Sequence, residues 1–493
     1  MTETSLPRRR HGQQFAPGSR LLRVAALVIG GLLAMPVITI IYLAATPAEN
    51  IWPHLVATVL PGYIWQTALL LAGVGAITFV VGTAAAWLVT ACSFPLRRVF
   101  QWASLMPMAM PGYIVAYTYV DLLSYAGPVQ TWLRGLFGWK TPADYWFPEI
   151  RSLGGAIFVL SMVLYPYVFL TARASFIRQP ATQLEVARAL GRTPWGAFRA
   201  VALPLARPGI AVGVSLALME CLNDIGAAGF FGVRTLTLGV YTTWLSQGNL
   251  GGAAQISAVM LLFIFVLLWI ERQARRRQSF VLPAQRPRQP DRIRLNGWQR
   301  ALAVIVCGLP ILIGFVLPAL VLMSFAASRL EDALSATYLK AVYHSLLLAV
   351  LAAAAAVLLG LVLGYANRAM QNGLTKRVIR LAATGYAIPG TVLGIGVLIP
   401  LAAFDNALDS FLREQVGVSS GLLLSGTITA LVFAYVVRFL AVSFGAIETG
   451  LQKVTPNVAA AARTLGRGPI AAFIEVHLPL LKPALASAAL LVF

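Results

Sequence analysis

The chain has 493 residues, 59% of them hydrophobic and 11% charged, with a mean hydropathy of +0.78. That composition excludes a soluble globule and marks a polytopic membrane protein, and the lack of apolar–polar alternation at strand spacing excludes a membrane barrel. A formal net charge of +21 raises nucleic acid as a partner, but the placement of the basic residues along the chain excludes it.

Apolar stretches long enough to cross a hydrocarbon core of about 30 Å lie near 22–46, 64–91, 99–123, 153–175, 207–223, 251–271, 302–327, 342–367, 379–404 and 421–445, with an eleventh from Pro483. The first is too long, and follows too extended a basic region, for a cleaved signal peptide. Once the spans are placed, 30 of the 38 Lys and Arg fall on one side. The positive-inside rule puts that side, and the N-terminus, in the cytoplasm. Cys92, Cys221 and Cys307 show no metal-ligand spacing and read as small core residues.

Arg272 to Arg300, with Arg275-Arg276-Arg277 and a Pro-rich run from Leu282 to Pro290, reads as an unstructured basic linker. It divides the chain into a first repeat (1–271) with six spans, the linker (272–301) and a second repeat (302–493). Six spans before the linker give both halves the same direction, as parallel repeats about an axis normal to the membrane.

Two features recur between the halves. Glu185-Val186-Ala187-Arg188-Ala189-Leu190-Gly191, followed by Leu203-Pro204, returns 275 positions later as Ala460-Ala461-Ala462-Arg463-Thr464-Leu465-Gly466 and Leu478-Pro479. By parity both copies occupy a cytoplasmic loop after the fourth span of a half. The local reading is a helix ended by Gly191 in the left-handed position, then a second short helix capped by Thr193 with Pro194 in its first turn. Trp195, Phe198 and Val201 form an apolar stripe on that second helix, as Ile470, Phe473 and Val476 do on its copy. The other recurrence is Pro-Gly inside a span, at Pro111-Gly112 and again at Pro389-Gly390. It reads either as a packing kink or as a bend lining a path. With the 275-residue offset Phe493 corresponds to Leu218, so the second repeat is expected to be incomplete at its C-terminal end.

The Glu-x-Ala-x-x-x-Gly and Leu-Pro pattern resembles the EAA loop of ATP-binding-cassette importer permeases, whose short coupling helix sits in a groove of the ATPase subunit. The resemblance implies an all-α type I importer transmembrane fold and two copies of an ATP-binding partner. It also implies an ATPase-coupling surface from Glu185, Ala187, Gly191, Trp195, Phe198, Leu203 and Pro204, and from Ala460, Ala462, Gly466, Phe473, Leu478 and Pro479. Ala460 departs from the pattern, so a carboxylate is available in one copy only. No P-loop is present: the five lysines, Lys140, Lys340, Lys376, Lys453 and Lys482, none of which follows Gly, leave ATP to the partner. The chain is accordingly expected to bind no cofactor and to be no enzyme.

Met219-Glu220-Cys221-Leu222-Asn223-Asp224-Ile225-Gly226, the run from Phe230 to Tyr241, and Ala387-Ile388-Pro389-Gly390-Thr391 resemble the fused permeases of ferric iron importers. That family implies a periplasmic ferric-binding protein and an inner-membrane location among lipid. Fe(III) favours oxygen ligands, and Glu220 and Asp224 lie one helical turn apart at the outer end of the fifth span, where carboxylates tend to face protein, water or a path. The same two residues also read as helix caps or partners of Arg234. Pro111, Tyr113 and Pro389 complete the expected path, with Tyr113 also readable as an ordinary packing residue. Permeases for thiamine, phosphonate or polyamines are the alternatives within the class. An ion-gradient-driven secondary transporter, or a receptor or scaffold, are alternatives outside it.

Overall fold

The computed structural model describes residues 17–276, 292–331, 335–369, 373–383, 385–453, 464, 471 and 473–493. In chain order the helices are α1 (Pro17–Ala45), α2 (Trp52–Ala57), α3 (Leu60–Ala91), α4 (Arg97–Ala103), α5 (Gly112–Leu123), α6 (Pro128–Phe137), α7 (Leu153–Ile177), α8 (Ala181–Ala189), α9 (Pro194–Ala197) and α10 (Leu203–Asn223). There follow α11 (Ile225–Phe231), α12 (Leu236–Tyr241), α13 (Leu250–Arg276), α14 (Trp298–Ile311), α15 (Leu317–Ala327), α16 (Ala336–Ala369), α17 (Gly373–Ala382), α18 (Gly390–Val416), α19 (Ile428–Lys453) and α20 (Leu478–Val492). Two two-residue strands, β1 (Cys92–Ser93) and β2 (Ile293–Arg294), pair in parallel.

Ten helices among the described residues are long and apolar enough to cross a membrane. The all-α membrane architecture expected from composition is therefore present. The stretch at 99–123, expected as a span, is not one of the ten. Its chain runs as α4, a 3₁₀ turn at Met106–Ala109, and α5. Pro107 and Pro111 lack the N–H that a continuous ladder needs, so the helix restarts at Gly112. The second half repeats the device: a 3₁₀ turn at Gly385–Ala387 gives way to α18, which starts at Gly390 directly after Pro389. Both Pro-Gly pairs thus end one helical segment and begin another.

The linker reading is corrected at both ends. Helix α13 continues to Arg276, and Ile293–Arg294 is drawn into the pair with Cys92–Ser93 just before α14 begins at Trp298. The Pro-rich signal stops at Pro290, and the apolar Ile293 beyond it has a backbone partner available. The remainder, 277–291, lies outside the described residues.

The chain forms two compact units. One combines α1 up to Thr39 with Leu339–Ile388 and Leu393–Phe493; the other holds Ile40–Tyr338 and Pro389–Val392. Each unit therefore includes a leading helix from the other half of the sequence. In the first, Pro36 of α1 lies against Gly396 of α18. In the second, the Tyr119 hydroxyl donates to the Ile313 carbonyl at 2.8 Å, and Gly314 lies against the backbone of Met162.

Helix α7 is the most buried of the ten long helices and forms the axis of the second unit. Its N-cap Ser152 accepts from Gly155 N–H at 3.1 Å. Gly82 of α3 and Gly213 of α10 lie against its backbone from either side, where a Cβ would overlap Val168. Tyr165, Phe169 and Phe176 of α7 form one core with Trp87, Phe198 and Ile311.

Candidate functional site

The EAA-like loop is built by local rules. Helix α8 ends in a double hydrogen bond: Arg192 N–H donates to Ala187 O at 3.1 Å and Gly191 N–H to Arg188 O at 3.0 Å. This is the Schellman arrangement, and Gly191 occupies its left-handed position with φ of 80°. Two residues later the Thr193 hydroxyl accepts from Gly196 N–H at 3.1 Å, capping a helix whose first turn contains Pro194.

The expectation of a separate short second helix is corrected. From Pro194 the helix does not stop at Leu203-Pro204 but runs unbroken to Asn223. Passage through Pro204 is made possible by a π turn at Phe198–Ala202. A proline ring clashes with the carbonyl four residues back and offers no N–H to it; widening to the five-residue bond of a π turn relieves that conflict. The same solution appears at Leu312–Val316 before Leu317-Pro318 and at Phe473–His477 before Leu478-Pro479.

Exposure divides the loop into an anchor and a free face. Ala187 and Phe198 are buried; the Phe198 ring lies 4.8 Å from Trp87 and 6.2 Å from Phe176. Glu185 is exposed, and Trp195, 60% exposed, stacks on Phe198 at 5.1 Å. Leu190 is 79% exposed, because the Schellman turn ends the helix at that residue. Gln179, at the end of α7, donates to Ala202 O at 2.8 Å and ties the loop to its neighbouring span. In the second copy Phe473 lies 5.3 Å from Tyr365 and leads through the π turn into Leu478, Pro479 and α20. Ala460, Ala462 and Gly466 lie outside the described residues.

The second cluster joins two broken helices. Helix α10 ends at Asn223, and Asp224 begins α11, its Oδ1 accepting from Ala227 N–H at 2.8 Å. The cap reading of Asp224 is thus what one carboxylate oxygen does. The other, Oδ2, stands against Gly112, the first residue after the break in the third membrane segment. Tyr113 lies against Gly226, and the Tyr117 ring packs 5.6 Å from Phe230 and 6.3 Å from Phe325. Glu220 is half-buried one turn before Asp224. Pro111, Tyr113 and Asp224 are therefore brought together, while Pro389 belongs to the separate Pro-Gly break before α18. Sequence reasoning missed Asn223, whose side-chain amide is shielded from solvent with no hydrogen-bond partner among the described residues. Its place at the end of an apolar span, beside Asp224, was the available signal. No cluster of three or more metal-ligating side chains occurs among the described residues.

Ten candidate spans, helices broken at both Pro-Gly pairs and a loop carried directly into a spanning helix make an all-α membrane architecture, to which the family match gives the type I ATP-binding-cassette importer permease fold. Residues 78–279 carry the domain described as the binding-protein-dependent transport system inner membrane component. The chain is a multi-pass inner-membrane permease subunit, not an enzyme, and works with an ATPase and a periplasmic binding protein. An Fe(3+)-transport system permease of Haemophilus influenzae is 21% identical over 85% of this chain and 76% of its own. A ferric transport system permease of Actinobacillus pleuropneumoniae is 22% identical over 97% of this chain and 69% of its own. The molybdenum transport system permease of Escherichia coli is 26% identical over 43% of this chain and 96% of its own.

Proposed function

We propose that the chain forms the passage for ferric iron, delivered by a periplasmic ferric-binding protein. Two copies of an ATPase drive it by docking on the loops at 185–204 and 460–479, and ATP is used by that partner alone. The N-terminus lies in the cytoplasm. The observation that carries the substrate is coverage: the two ferric permeases match along 85% and 97% of this chain, the molybdenum permease along 43%.

Chemistry supports a cation over an oxyanion. The Glu220 and Asp224 carboxylates, with Tyr113 beside the Pro111-Gly112 break, offer hard oxygen donors that attract Fe(III) and repel molybdate or sulfate. Pro389 marks the corresponding break in the second half. Glu185 and Trp195 form the free face offered to the ATPase, and Phe198 and Phe473 anchor the two loops.

Uptake of labelled Fe(III) by cells expressing the permease with its ATPase and binding protein tests this reading, with a catalytically dead ATPase and labelled molybdate as controls. Iron entry that needs live ATPase is expected. Entry that ignores the dead ATPase overturns the mechanism and favours an ion-driven carrier; ATP-dependent entry of molybdate in place of iron overturns the substrate.

A further inference from the structure

Between α3, the helix that begins at Pro194, and the first turns of α14 lies a recess of about 800 Å3, within the size range of ordinary ligand sites. Trp87, Phe198 and Leu302 form its three apolar walls, and Ile293 and Leu295 close one end. Arg199 is the one charged side chain among the described lining residues, which include no carboxylate.

The surroundings give the recess a direction. Val80 and Ile305, on α3 and α14 near its walls, are 60% and 56% exposed, and in a membrane chain such surfaces meet acyl chains. Its other end is cationic. The Arg199 guanidinium lies 5.7 Å from the Trp195 ring centroid. On the β1–β2 side Arg97, which donates to Val89 O at 2.8 Å, is crowded by Arg292, Arg98 and Arg173. A slot with apolar walls, open towards lipid and ending in positive charge, complements a molecule with a long apolar chain and an anionic head.

We infer that the recess holds one acyl chain of an anionic glycerophospholipid of the cytoplasmic leaflet, with the lipid phosphate on Arg199. The leaflet assignment rests on the orientation proposed above. That orientation is read independently by the accessibility of an Ala200→Cys variant to membrane-impermeant reagents from each side. The lipid sits under Trp195 and Phe198, so its headgroup bears directly on the loop offered to the ATPase.

The test uses the permease in phosphatidylcholine nanodiscs doped with a diazirine-acyl phosphatidylglycerol or, separately, the matching diazirine-acyl phosphatidylcholine. The phosphatidylglycerol probe is expected to label the 79–88 and 299–306 peptides about fivefold more than the phosphatidylcholine probe, one arginine's share of binding at an anionic leaflet. Arg199→Gln is expected to remove that excess and Arg199→Lys to keep it. Leu302→Trp, which fills the slot, is expected to abolish labelling there by both probes while labelling of α1 persists. Equal labelling by the two probes, or an excess that survives Arg199→Gln, overturns the inference. If Arg199→Gln fails to fold, the probe comparison in the unaltered protein and in Arg199→Lys still decides it.

Discussion

The Oδ2 atom of Asp224 occupies the space that a Cβ would take at Gly112, so the break after α10 and the break before α5 are parts of one structure. Any side chain at 112 would overlap that carboxylate. Gly112→Ala is therefore expected to displace Asp224 and cost about 1–3 kcal/mol. Transport should fall more steeply than the amount of inserted protein, measured by uptake assay and membrane immunoblot. Adding Asp224→Ala should recover part of the stability loss, since coupled neighbours are non-additive; strictly additive thermal shifts would refute the contact.

Within the loop, the exposed and buried aromatic residues should separate by phenotype. Phe198→Ala removes a ring buried against Trp87 and Phe176 and is expected to cost about 3–5 kcal/mol. It should read out as loss of folded protein. Trp195→Ala and Glu185→Lys should leave folding near normal and weaken ATPase association or uncouple ATP hydrolysis from uptake. Pull-down with the ATPase and a paired hydrolysis–uptake measurement distinguish the two classes.

Near the middle of α18, Asp405 is fully buried and accepts from Leu424 N–H, Ser425 N–H and the Ser425 hydroxyl at 2.8–3.1 Å. Asp405→Ala leaves these donors unpaired, and hydrogen bonds to a charged group are worth about 1.5–3 kcal/mol. Faster amide exchange is expected at Leu424 and Ser425, with little change in the first turns of α18. Unchanged exchange at both amides would remove Asp405 as the anchor of that loop.

Asp144 supplies a pH prediction. Its carboxylate accepts from Thr141 N–H, Lys140 N–H and the Thr141 hydroxyl at 2.7–3.0 Å, which holds its pKa below the usual aspartate range. A depressed carboxyl stabilises its loop above the unfolded value, and that contribution is lost as pH falls through the folded value. Exchange protection at Lys140 and Thr141, corrected for intrinsic rate, should thus hold near neutrality and decline only in acid. In Asp144→Asn it should be low throughout.

Most of the spans and the paired Pro-Gly breaks were legible because each is written in local chemistry: apolar length, Gly in a left-handed turn, a missing N–H. The EAA-like segment was legible for the same reason, down to the Thr193 cap. The pairing of Cys92–Ser93 with Ile293–Arg294 was not, since two residues carry no periodic signal and the partner lies 201 positions away. Nor was the placement of Pro36 against Gly396, or of Tyr119 on Ile313. Apolar length marks each helix but says nothing about which helices are neighbours. The run of the loop helix into α10 was not legible, because Leu203-Pro204 falls between the short helix and the span and only the π turn at Phe198–Ala202 lets the helix pass it.

That continuity has a mechanical meaning. From Pro194 to Asn223 there are 30 helical residues, a pushrod roughly 45 Å long, with Trp195 at one end and Asp224 at the other. Its irregular points are the π turn that carries it past Pro204, and Pro208. A displacement of the Trp195 tip is therefore carried along one continuous helix, and arrives where the carboxylate meets Gly112.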